Sequence, residues 1–133
     1  MQTLHKSEFY EILFDKNKSL IVHKALEGTS EMSDENFKKE MVSFAEACDK
    51  YKPTKDLVNL VDMRYSIVPE VQEWVNTEVF PTIMSTIRQM ALVMPSSIFE
   101  SVAIEQTMEE EIGKNFNQKY FDNEKKALEW LMN

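Results

Sequence analysis

The chain is poor in the residues that most often build catalytic or cofactor sites. Among its 133 residues are one cysteine, two glycines, four prolines and two histidines. A lone cysteine, Cys48, excludes an intramolecular disulfide. With only Gly28 and Gly113, neither the Rossmann nor the P-loop phosphate cradle can be written, and no Gly-x-Ser-x-Gly elbow exists. His5, His23 and Cys48 are scattered without the spacing of metal ligands, so neither a metal nor another cofactor is expected. Positive charge is also short: 15 basic residues against 23 acidic ones give a formal net charge of −8. A phosphate backbone or an anionic membrane surface would be repelled by such a chain unless a basic patch were concentrated somewhere. Lys38-Lys39, Lys50-Tyr51-Lys52 and Lys125-Lys126 are each short and have acidic residues nearby, so nucleic acid is not an expected partner. No run approaches the ~20 apolar residues of a membrane span, and no membrane insertion is expected. Met1-Gln2-Thr3-Leu4-His5-Lys6 holds no apolar stretch of signal-peptide length, which points to a cytoplasmic protein.

What is present is a composition that folds. The 43% apolar and 29% charged content fits one globular domain spanning residues 1–133, with no linker, repeat or low-complexity tract. Ser7 to Asp15 and Leu20 to Leu26 mix aromatic and β-branched residues around a Lys16-Asn17-Lys18-Ser19 turn, the pattern of a hairpin. Ser33 is a good helix N-cap, Asp34 and Glu35 suit the positive end of the helix dipole, and Met32 with Phe37 forms a hydrophobic staple. Phe37, Met41, Phe44, Ala45 and Cys48 then make one apolar stripe, which ends near Tyr51 before Pro53. Asp56 to Asp62 reads as a buried central strand. Pro69 suits a helix first turn, Val71, Trp74, Val75 and Val79 face inward, and Pro81 should kink or restart the helix before Ile83, Met84 and Ile87. Arg88 to Met94 is another buried strand, stopped by Pro95. A helix follows over Ser101 to Ile112, with Gly113 as its C-cap, then a strand over Asn115 to Phe121. Asp122 is placed to cap a last helix that buries Ala127, Leu128 and Leu131. The expected fold is α/β: a single-layer, mixed, mostly parallel five-stranded sheet flanked by helices in the order ββαβαβαβα.

That order resembles the SpoIIAA-like family, related to the STAS domains of anti-sigma-factor antagonists and, more distantly, to CRAL-TRIO lipid-binding folds. The resemblance is carried by the strand ending in Asp62, by the helix start Pro69-Glu70-Val71-Gln72-Glu73-Trp74-Val75, and by the ending Tyr120-Phe121-Asp122 to Ala127-Leu128-Glu129-Trp130-Leu131. It implies a bacterial, non-enzymatic regulatory or protein-interaction module. Its CRAL-TRIO side implies instead a binder of a small apolar or amphipathic ligand. STAS antagonists switched by phosphorylation carry an Asp-Ser pair before the second helix. Here Asp62 is followed by Met63, and Ser66 is the serine left as a phosphate acceptor.

Ligands of open α/β sheets tend to bind beyond the carboxyl ends of the strands. That rule selects Asp62 and Arg64 as a ligand-orienting pair, with an ion pair or an Asx-type turn as the structural alternative. It also selects Met94 and Ser96. Met63, Met90 and Met94 cluster around two central strands, where methionine can line an adaptable apolar pocket. Met41, Met84 and Met108 are explained as core by helical spacing, Cys48 as a small packed hydrophobe, and His23 as a surface or half-buried strand residue. The partner is thus expected to be a protein or a small apolar ligand, and a homodimer stays open, although Trp74 and Trp130 both read as partly buried. No constellation of acid, base and nucleophile is legible, so an enzyme is not expected.

Overall fold

The computed structural model describes residues 1–100, 102 and 117–133. Strand β1 (Gln2–Lys6) opens the chain, followed by β2 (Tyr10–Asp15), β3 (Leu20–Ala25), a 3-10 turn (Glu27–Glu31) and helix α1 (Asp34–Tyr51). Strand β4 (Lys55–Asn59) leads to α2 (Pro69–Trp74), a π-helical segment (Val75–Val79) and α3 (Phe80–Met84). Then come β5 (Gln89–Val93), a helical stretch at residues 96–100, β6 (Asn117–Phe121) and α4 (Glu124–Met132). The helix expected over Ser101 to Ile112, with its Gly113 cap, lies outside the described residues except for Val102, which is helical.

The strands form one six-stranded mixed sheet in sequential order, β1 to β6. β1–β2 and β2–β3 are antiparallel, and β3–β4, β4–β5 and β5–β6 are parallel. The expected five-strand count is therefore corrected to six. The added strand, Gln2–Lys6, pairs on one side only and buries none of its residues fully, so it carries no apolar alternation to read. Its register also slips between Thr3 and His5, which breaks the period-two signal further.

Helices cover both faces. On one, Ile12, Ile21 and Met90 of the sheet meet Phe44 and Cys48 of α1 with Val79 and Ile83 of the following helices. On the other, Leu20, Val22, Leu57 and Val93 meet Ala127 and Leu131 of α4. Strands β3 to β5 are thus buried from both sides, which explains their nearly continuous apolar runs.

Local signals set the helix ends. Ser33 caps α1 by accepting from the Asn36 amide at 3.1 Å, and the Asn36 side chain accepts the Ser33 amide at 3.1 Å. This is a reciprocal capping box with Asn in place of the usual Glu. The C-cap, Lys52, takes a left-handed conformation with φ 49°. Pro69 occupies the first turn of α2, and Pro81 that of α3. Between them the helix widens to π geometry, closed by the Phe80 amide donating to the Val75 carbonyl. Restart at Pro81 follows because proline has no amide to continue the ladder. At the C-terminus Asn123, not Asp122, is the N-cap of α4, accepting from the Lys126 amide at 2.9 Å. Asp122 instead pairs with the Lys126 ammonium at 3.4 Å. No helix among the described residues is long and apolar enough to cross a membrane.

Candidate functional site

Between the α1 face of the sheet and helices α1 and α2 lies a cavity of about 510 Å3. That volume falls within the ~300–1,000 Å3 typical of small-molecule sites. Strand pairing explains which side chains reach it. Ile21 is opposite Asp56, Asp56 opposite Met90, and Met90 opposite Gln118, so these four share one face. Two residues further on, His23, Val58 and Leu92 repeat the row. Asp56, His23, Val58, Met90, Leu92 and Gln118 all line the cavity from the sheet side. Phe37, Met41 and Phe44 line it from α1, one helical stripe of about two turns.

Burial gives the cavity a floor and a mouth. Asp56 has no exposed surface and His23 only 3%. By contrast Ile67, Gln72 and Asn76, also in its lining, are exposed. From Asp56 to Leu60, near the mouth, is four residues, roughly 13 Å of extended strand. The mouth is shaped by the loop after β4. Asn59 turns the chain there by accepting the Val61 amide at 3.1 Å. Buried Thr29 holds the loop, accepting from the Arg64 amide at 2.8 Å and donating to the Leu26 carbonyl at 2.7 Å. Tyr65 stacks on Phe37, with ring centroids 4.9 Å apart, and donates to Asp34 Oδ1 at 2.5 Å. Burial and then that hydrogen bond raise the Tyr65 hydroxyl to about 12, so it serves as a neutral donor.

The floor carries two polar groups without partners. Neither carboxylate oxygen of Asp56 has a hydrogen-bond partner, nor does His23 Nε2. Burial raises the Asp56 carboxyl well above the usual carboxylate range. His23 is sandwiched between Tyr10, at 4.4 Å between ring centroids, and Phe44, at 4.1 Å and nearly parallel. Burial, with a smaller contribution from His5, lowers its imidazole to about 3. Burial thus favours the neutral form of both groups. Unpaired buried polar groups cost about 1–3 kcal/mol each, so their clustering at one end of a cavity points to a binding floor.

Of the residues selected from sequence, Met63 and Met90 belong to this cavity. Met63 also accepts a hydrogen bond from the Tyr10 hydroxyl at 3.5 Å. Asp62, Arg64, Met94 and Ser96 are not among its described lining residues. Arg64 directs its guanidinium to the Val61 and Met63 carbonyls at 3.3 Å, and no ion pair with Asp62 forms. The Asx turn expected at Asp62 is made by Asn59. Met94 is tied by its amide to the Phe121 carbonyl at 2.9 Å, while Ser96 and Ser66 are exposed. With the strands in sequential order the parallel sheet has no reversal point, and the space lies beneath its helices rather than beyond the strand ends.

His23 corrects its expected half-exposed placement, because both faces of β3 are covered. Asp56 was legible only as the edge of a strand. Its signal is an acid directly before Leu57-Val58 in a strand buried on both faces, where a carboxyl is almost never found without a partner. Cys48 packs in the core with no exposure, as its place on the apolar stripe implies. Burial, with Asp56 adding, raises its thiol far above neutrality. No group of three or more metal-ligating side chains gathers among the described residues. No family model, curated protein or solved structure matches the chain.

Proposed function

We propose that this domain binds a small amphipathic molecule in the α1-face cavity. The observation that carries this reading is a 510 Å3 space with mostly apolar walls whose buried end holds the unpartnered Asp56 and His23. Apolar walls supply affinity, and a few convergent polar groups fix orientation. No nucleophile is poised there, since Cys48 is a buried neutral thiol. Binding rather than turnover is the function supported best.

The test is native mass spectrometry on protein isolated gently from its own cells. A discrete added mass of a few hundred daltons, absent from a Val58→Trp variant that fills the cavity, is the expected result. An identical added mass on the filled variant would place any ligand elsewhere and end this reading.

A second reading, the regulatory interaction module implied by the SpoIIAA-like resemblance, is favoured by one surface feature. Val61, Ile67 and Val68 are 39%, 43% and 42% exposed on the single loop that frames the mouth. A partner docking on that loop would sense what occupies the cavity. Val68→Asp abolishing co-purification of a partner, with ligand retained, would support it.

A further inference from the structure

We propose, building on the ligand-binding reading, that the cavity selects an amine: a molecule with one protonatable nitrogen on an aromatic or alkyl body, seated nitrogen-first against Asp56. Three observations converge on this class. The unmet groups on the floor are both able to accept: two carboxylate oxygens on Asp56 and Nε2 of His23. A primary ammonium offers three N–H donors, enough for both Asp56 oxygens. Secondly, no Lys or Arg is among the described lining residues, so nothing there compensates an anionic ligand. The net charge of −8 opposes an anion further. Thirdly, the walls carry the rings of Tyr10, Phe37, Phe44, Tyr65 and Phe80, whose π faces attract a cation in a low-dielectric site.

Burial raises the Asp56 carboxyl, which favours its protonated form before binding. An ammonium brought beside it favours the carboxylate, so Asp56 releases its proton to solvent as the charged pair forms. The other titratable groups on this face near Asp56 are Cys48 on α1 and His23 on β3. Both are uncharged at pH 7, their shifts dominated by burial. Met90 and Gln118 face it from β5 and β6 and do not titrate. Affinity for an amine therefore rises with pH while Asp56 is protonated in the free protein, and falls once the amine loses its own proton.

Calorimetric titration of the full chain with 2-phenylethylamine, 2-phenylethanol and 3-phenylpropionate separates the possibilities. These three share a body and differ in the charge of the head. The amine should bind at least roughly tenfold more tightly than the alcohol, as a hydrogen bond to a charged group adds about 1.5–3 kcal/mol. The propionate should bind worst. Repeating the amine titration in buffers of different ionisation enthalpy should show about one proton released per amine bound. Asp56→Asn should bring the amine to the level of the alcohol. If that variant does not fold, the wild type's preference for the amine over the alcohol and the propionate decides. Equal binding of amine and alcohol overturns the amine assignment and leaves the cavity reading standing. Failure of all three compounds, together with no displacement of a bound apolar dye, overturns both.

Discussion

Asp56 and His23 load the fold with opposite pH dependences. The Asp56 carboxyl is raised in the folded state, so the folded chain holds a proton that the unfolded chain releases. Stability falls as pH climbs from the ordinary carboxylate range towards the raised value. Replacing Asp56 by Leu should therefore stabilise the protein by roughly 1–3 kcal/mol at pH 7, and by less at pH 4, in urea melts. His23 acts the other way. Its imidazole is lowered from 6.5 to about 3, so the stability it contributes is present above pH 6.5 and is lost as pH falls towards 3. His23→Phe keeps the ring sandwich between Tyr10 and Phe44 and removes that loss. Its denaturation midpoint should change less than the wild type's between pH 6.5 and 4; an unchanged acid limb would show that His23 is not the buried neutral group described. Gly28 matters for another reason. A Cβ there would run into the Glu8 backbone carbonyl, so Gly28→Ala should cost about 1–3 kcal/mol by overpacking, read as a lowered Tm.

Helix α1 positions one wall of the cavity, and both its ends can be tuned without touching the site. Ser33→Ala removes the reciprocal cap and should cost about 1 kcal/mol. Lys52 holds a left-handed conformation at the other end, so Lys52→Gly should stabilise by up to about 1 kcal/mol. Chemical denaturation checks both, and neither should alter ligand binding. This helix was legible almost residue by residue, because cap, staple and stripe all act within one stretch of chain. Strand β1 was not, since its pairing partner rather than its own pattern makes it a strand. The N-cap of α4 fell one residue from its expected place because Asp122 and Asn123 are both capable caps. Met63 and Met90 are among the residues that line the cavity. Met94 follows the end of β5, and β6 takes its amide. Asp56 was missed because the strand reading attended to its apolar run. Only the parallel register, which the sequence does not print, sets it opposite Ile21 on the same face as His23.

At the scale of the molecule, α4 packs on one face of the sheet and a cavity lies on the other. On the α4 side small and branched residues, Ala91, Ala127, Val93 and Leu131, pack into one buried cluster. On the α1 side the widened Val75–Val79 segment and the loop pinned by Thr29 hold the cover away from Asp56 and Val58. The methionines make this directly measurable. Met41, Met63 and Met90 line the cavity, whereas Met1, Met94 and Met132 do not. The decisive experiment is to record the methionine methyl NMR signals of the protein during a titration with indole, a small aromatic probe. A binding cavity predicts saturable shifts at Met41, Met63 and Met90 with Met1, Met94 and Met132 unmoved. No saturable shift at those three methyls, or equal shifts at all six, would contradict it.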